Sequence, residues 1–219
     1  MFAFYFRAAA ASICIFGIFS ALGVHNGEFD VKRLLYFTFQ TNFLIACMFI
    51  VLALRTHREL REKGVHGECC FLPRSCAALL IYAALTVFVF WAFISWNAPN
   101  RDVVFSYGNF ATHLINPLLF LADYVMFSRP GLLKKRDPLR FLIFPAAYCG
   151  IASVLGATGL IFTTPYSDEV LHYPYFFMDY YQYGLWAIPM ITMVGFVIAG
   201  LGWLLLFIDR RRKAKAVSG

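Results

Sequence analysis

The sequence predicts an all-α, polytopic transmembrane bundle of six spans, and three observations support this. The chain of 219 residues is 61% hydrophobic and only 14% charged, whereas soluble domains carry about a quarter charged residues. Its apolar residues fall into long runs, each near the roughly 20 residues that cross a hydrocarbon core about 30 Å thick. Its lysines and arginines gather beside alternate ends of those runs.

The spans are read as Phe4–Val24, Leu34–Leu54, Ala77–Trp96, Phe110–Ser128, Phe141–Thr163 and Leu185–Ile208. Short loops make up nearly all the rest. Residues 1–209 are therefore expected to be one membrane domain and 210–219 a basic cytoplasmic tail, with no separate soluble catalytic domain. The first run lacks the basic start of a signal peptide and exceeds its usual apolar length, so it is counted as a span.

Arg55, Arg58, Arg61, Lys63 and Arg74 lie between the second and third spans; Arg129, Lys134, Lys135, Arg136 and Arg140 lie between the fourth and fifth. Arg210, Arg211, Arg212, Lys213 and Lys215 follow the sixth, while the other loops hold Lys32, Arg33 and Arg101. That alternation predicts both termini in the cytoplasm. The net charge of +7 is thereby assigned to orientation and to anionic lipid headgroups. No basic patch stands apart from a membrane edge, so nucleic acid is not expected as a partner.

Cys14, Cys47 and Cys149 sit in spans as small soft hydrophobes. Cys69, Cys70 and Cys76 lie near the inner edge with His66, without the paired spacing of a zinc ribbon. In a eukaryote, S-palmitoylation of Cys69 or Cys70 is the stronger reading. No disulfide and no cofactor are expected. The outer segment from Thr164 to Gly184 is dense in aromatic residues, which favour the headgroup zone, so it reads as a lid lying on the membrane.

Topology converts positions into depths. Thr38 lies about four residues into the second span, roughly 6 Å at 1.5 Å per residue, and His113 enters the fourth span to a similar depth from the same side. Thr38, Thr41 and Asn42 form one helical stripe; Asn109, His113 and Asn116 form another. Polar side chains in a span face the bundle interior or a wet cavity, so a polar pocket between spans two and four, opening outward, is expected. The plainer alternatives are that Thr41 bonds the carbonyl one turn back and that Asn42 and Asn116 join helices. At the inner end, Arg7 and Asp123 also share a depth and are read as a structural ion pair.

A threonine hydroxyl becomes a useful nucleophile when a neutral imidazole takes its proton. Thr38 with His113 would suit acyl transfer, with Thr41, Asn42, Asn109 or Asn116 as candidate substrate-binding or oxyanion donors. The run LLYFTFQTN (Leu34 to Asn42), the spacing of His113, Pro117 and Asp123, and HYPYFFMD (His172 to Asp179) resemble the androgen-induced and ADTRP-like membrane hydrolase family and its bacterial six-span relatives. The resemblance covers about a fifth of the chain. It implies hydrolysis of fatty-acid esters of hydroxy fatty acids or similar lipids, with Thr38 at the position of the family's threonine and His113 at that of its histidine. The proline follows His113 by four positions instead of five, and Asp123 stands where glutamate is usual.

Two other classes remain open at this point: a small transporter using the same polar seam, and a noncatalytic lipid-binding membrane scaffold. A retinal pigment is excluded, since the spans contain no interior lysine for a Schiff base. A further competing reading places a water-activating metal among His25, Glu28, Asp168, Glu169, His172 and Asp179, which have the right ligand types without a ligand spacing. A bacterial inner membrane or an endomembrane would suit the chain equally.

Overall fold

The computed structural model of the chain describes residues 1–24, 27, 29–64, 67–96, 98–99, 101–164 and 167–218; the side chains at 163, 164, 167–170, 217 and 218 lie outside that description. Six helices are long and apolar enough to cross a membrane: α1 (Phe2–Ala21), α2 (Phe37–Lys63), α3 (Pro73–Ile94), α4 (Tyr107–Phe127), α5 (Asp137–Ala157) and α6 (Tyr180–Ala216). This is the build of a multi-pass membrane protein. Outward-facing Phe16, Phe43, Leu54, Phe88, Leu118, Ile151, Val154, Phe196 and Phe207 are exposed, which suits a surface solvated by lipid chains.

Helix boundaries follow local chemistry more closely than hydropathy does. The second run does not enter as one helix from Leu34. Asp30 accepts from the Lys32 amide and starts a 3₁₀ turn at Val31–Leu35, Tyr36 is extended (φ −76°, ψ 140°), and α2 begins at Phe37. Thr38 therefore lies in the first turn of its helix, not a full turn inside it. At the other end α2 runs on into the basic segment, with Lys63 paired to Glu59 and Arg58 to Glu62, until Gly64 takes a positive φ of 61° that favours glycine.

The third and fourth spans each contain a π-helical turn, at Phe90–Ile94 and Ala111–Ile115. The fifth ends at Ala157, earlier than expected, and Gly159 turns the chain at φ 83°. The sixth is a continuous helix from Ala187 that passes the expected end at Ile208 and carries the basic residues on helical backbone. The expected lid is more structured than a surface loop. Antiparallel strands β1 (Phe162–Thr164) and β2 (Ser167–Leu171) pair Phe162 with Leu171 and Thr164 with Ser167. A short 3₁₀ turn, Phe176–Met178, comes next.

The core is centred on α2, where Ile45, Phe49 and Leu52 are fully buried and the Phe49 ring meets Phe120 of α4 edge-on, 5.4 Å between centroids. Small residues let α1 and α4 approach closely, as helices in membranes require. A methyl group on Gly108 would sit 2.4 Å from the backbone nitrogen of Ala21, and one on Gly17 would sit 2.7 Å from Cβ of Ala111.

The end of the bundle opposite Thr38 is held by a buried ion pair. Arg7 is 2% exposed; its Nε–H donates to Asp123 Oδ1 at 2.6 Å, one Nη donates to Oδ2 at 3.2 Å, and the other donates to Thr56 Oγ1 at 2.6 Å. Phe127 lies under the guanidinium at 5.0 Å. Nearby, Asp209 of α6 accepts from the amides of Gly131 and Leu133, tying the connection between α4 and α5 to the last helix.

A candidate active site in the bundle

One pocket of about 530 Å³, counted with its mouth, lies at the Thr38 end of the bundle. Phe37 and Thr38 of α2 line it, as do Leu85, Thr86, Val89, Phe90 and Ile94 of α3 and His113 of α4. Pro145, Tyr148 and Cys149 of α5, Tyr175 and Phe177 of the outer segment, and Val194 and Ile198 of α6 complete it. The expected site between spans two and four is thus also walled by α3, α5 and α6. Its lining is mainly aliphatic and aromatic, with few polar groups, the usual make-up of a site for an apolar ligand.

Thr38 and His113 both line this pocket. No hydrogen bond joins their side chains. The imidazole is held on its far side: Nδ1 lies 3.1 Å from the Asn109 carbonyl and 3.2 Å from the Thr112 hydroxyl, which itself donates to the Gly108 carbonyl. A carbonyl only accepts, so the ring proton belongs on Nδ1. Nε2 then carries the lone pair of the neutral ring, and no described residue bonds to it. Phe90 stacks on the imidazole at 3.9 Å, and Trp91 Nε1–H donates to the His113 carbonyl at 3.1 Å. Both π turns thus meet at His113, and such turns are frequent at functional sites.

The two polar stripes read from sequence do not both face this space. Thr41, Asn42, Asn109 and Asn116 are buried but do not line the pocket. Asn42 donates to the carbonyls of Thr38 (2.9 Å) and Thr112 (3.0 Å), and Asn116 donates to Asn42 Oδ1 (2.9 Å). These amides join α2 to α4. Asn109 donates to the Val104 carbonyl at 2.6 Å. The structure therefore does not bring these four expected substrate or oxyanion donors to the pocket wall, and the amides of Asn42, Asn109 and Asn116 are engaged in contacts with the backbone or with one another. Thr41 Oγ1 and Asn116 Oδ1 have no partner among the described residues, so Thr41 does not make the expected bond one turn back.

Two tyrosines without an assigned role in the sequence reading approach Thr38. The first amides of a helix have no partner within it. Here the Phe37 N–H donates to the Tyr148 phenol at 3.2 Å and the Thr38 N–H to the Tyr175 phenol at 3.4 Å. Burial raises the Tyr175 pKa above the ordinary phenol value, opposed by the adjacent Thr38 side chain and the Thr38 and Phe37 amides, so Tyr175 stays protonated at neutral pH. Tyr36 packs edge-on to Tyr175 and Phe162, and Tyr175 stacks on Phe177. The HYPYFFMD run thus forms a wall of the pocket.

The outer metal reading gains no support. His25, Glu28 and the side chains of Asp168 and Glu169 lie outside the described residues. Asp179 caps Tyr180–Tyr183 by accepting from the Tyr181 and Gln182 amides, and His172 packs on the Tyr181 ring at 4.6 Å. Among the described residues, no three His, Cys, Asp or Glu come together in a way that could hold a metal. Of the cysteines grouped with His66, Cys70 Sγ accepts from the Arg129 amide at 3.3 Å and the Cys76 thiol donates to the Phe71 carbonyl at 3.6 Å; His66 lies outside the described residues. Compared with known proteins, the chain matches no family model, no curated protein and no solved structure.

Proposed function

We infer that the protein is an integral membrane hydrolase of lipid esters, with Thr38 as nucleophile and His113 as general base. The observation that carries this reading is the shared pocket: Thr38 at the start of α2 and an imidazole whose Nδ1 is committed to Asn109, which leaves Nε2 to accept a proton. Thr38 Oγ bonds the acyl carbon while its proton passes to His113. The ester C–O bond then breaks, and His113 returns the proton to the leaving alcohol. Water then adds to the acyl carbon as the same imidazole takes its proton, the bond to Thr38 Oγ breaks, and His113 returns the proton to Thr38 as the acid leaves.

The apolar lining supports a fatty acyl chain as the bound group, and the resemblance to the androgen-induced and ADTRP-like family supports an ester of a hydroxy fatty acid. The lysine and arginine distribution favours both termini in the cytoplasm and the pocket on the opposite side, with the inner basic residues against anionic headgroups.

Treating the purified protein with a serine/threonine-directed fluorophosphonate and mapping the adduct tests the chemistry. Modification at Thr38, lost in Thr38→Ala and His113→Ala, is expected. Hydrolysis that persists in Thr38→Ala would refute the assignment. A protein without hydrolytic activity whose cellular function survives that substitution would instead be a transporter or a noncatalytic scaffold.

A further inference from the structure

We propose that the phenols of Tyr148 and Tyr175 are the oxyanion donors of this site, a role that rests on the assignment of Thr38 and His113 as nucleophile and base. Both tyrosines line the pocket beside Thr38. Each phenol oxygen already accepts an amide from the first turn of α2, Phe37 for Tyr148 and Thr38 for Tyr175. That bond occupies an acceptor position and leaves the phenol's own O–H as a donor. Tyr148 is 6% exposed, and no described residue accepts from its hydroxyl. A buried donor without an acceptor costs stability, and a ligand oxygen in the pocket would supply the acceptor.

The placement suits acyl transfer. When Thr38 Oγ adds to the ester carbon, the carbonyl π pair moves onto oxygen and negative charge develops there. Two fixed O–H groups beside the nucleophile, each polarised by an amide at the positive end of a long helix, would stabilise that charge more than the ground-state carbonyl. Collapse restores the C=O bond and expels the alcohol, which takes its proton from His113. The phenols keep their protons throughout. The side-chain amides of α2 and α4 cannot serve in this way, since they face helix contacts.

The test uses the full-length protein in detergent micelles with p-nitrophenyl decanoate as substrate and a decyl trifluoromethyl ketone as the analogue that forms an oxyanion on Thr38. Tyr148→Phe is expected to lower kcat by about 100-fold, as loss of one oxyanion donor does, with KM changed less than twofold. The ketone should lose affinity by a similar factor, and the shape of the pH profile should not change, because the base is untouched. A purely structural role would alter the unfolding midpoint without separating kcat from KM or weakening the ketone selectively.

Should Tyr148→Phe fail to fold, Tyr175→Phe, outside the spans, carries the same test with the same thresholds. A folded variant that keeps kcat within threefold overturns the proposal while Thr38→Ala remains inactive. Activity retained in Thr38→Ala, or a wild-type protein that hydrolyses neither this ester nor a long-chain ester of a hydroxy fatty acid, overturns the underlying reading instead.

Discussion

Removing one partner of the buried Arg7–Asp123 pair should cost more than removing both. Arg7 and Asp123 have side chains 2% and 6% exposed, joined at 2.6 Å, so water screens them little. In Asp123→Ala, the guanidinium keeps the Thr56 hydroxyl and the Phe127 ring, neither of which neutralises it. An uncompensated buried charge costs roughly 3–5 kcal/mol. Arg7→Ala leaves the carboxylate equally stranded and should cost a similar amount. In the double variant both charges are gone, and the loss reduces to cavity and packing effects, about 2–3 kcal/mol.

The double-mutant cycle should therefore show a coupling of roughly 3 kcal/mol or more, at the upper end for contacting residues. Thr56→Ala, which removes an acceptor of one charged hydrogen bond, should cost about 1.5–3 kcal/mol. Reversible unfolding in mixed micelles, read by tryptophan fluorescence, supplies the four stabilities. Losses that add in the double variant would refute the reasoning, and so would a single variant as stable as the wild type.

Four further outcomes are expected. Thr38→Ala and His113→Ala should each abolish hydrolysis of a long-chain ester without adding in the double variant, since nucleophile and base act as one unit; activity removed by a chelator would move the chemistry to the outer segment. Gly108→Ala should destabilise by about 1–3 kcal/mol, because its methyl would meet the Ala21 backbone at 2.4 Å, whereas Gly150→Ala, with nothing within 4 Å, should stay within about 1 kcal/mol of wild type; equal effects at the two sites would contradict the packing of α1 on α4. In a background lacking the native cysteines, Leu60→Cys should be protected from a membrane-impermeant maleimide in sealed cells and Val170→Cys labelled, as the charge asymmetry requires. Asn116→Ala should lower stability but leave the KM for the ester within about twofold, since its amide bonds Asn42 and does not line the pocket; a large rise in KM would return it to the binding site.

Hydropathy and charge are properties of each stretch of chain taken alone, and they were enough to specify six apolar helices and to pick out Thr38, His113, Arg7 and Asp123 as polar groups that the apolar runs must bury. A side chain's face, by contrast, depends on where its helix starts and on every turn before it. The break at Tyr36 moved Thr38 to the first turn of α2, because Asp30 caps a separate 3₁₀ turn ahead of it. The π turn at Ala111–Ile115 adds a residue to one turn and rotates the remainder of α4 by about 100°. His113 therefore faces the pocket while Asn116, on the same stripe of an ideal helix, faces Asn42. Tyr148 and Tyr175 lie more than 100 residues from the Phe37 and Thr38 amides they accept; Tyr175 falls in the HYPYFFMD run, but no local pattern gives either of them a contact with the start of α2. Only packing α5 and the outer segment against the start of α2 selects those two, because its unpaired first-turn amides need acceptors where water is scarce.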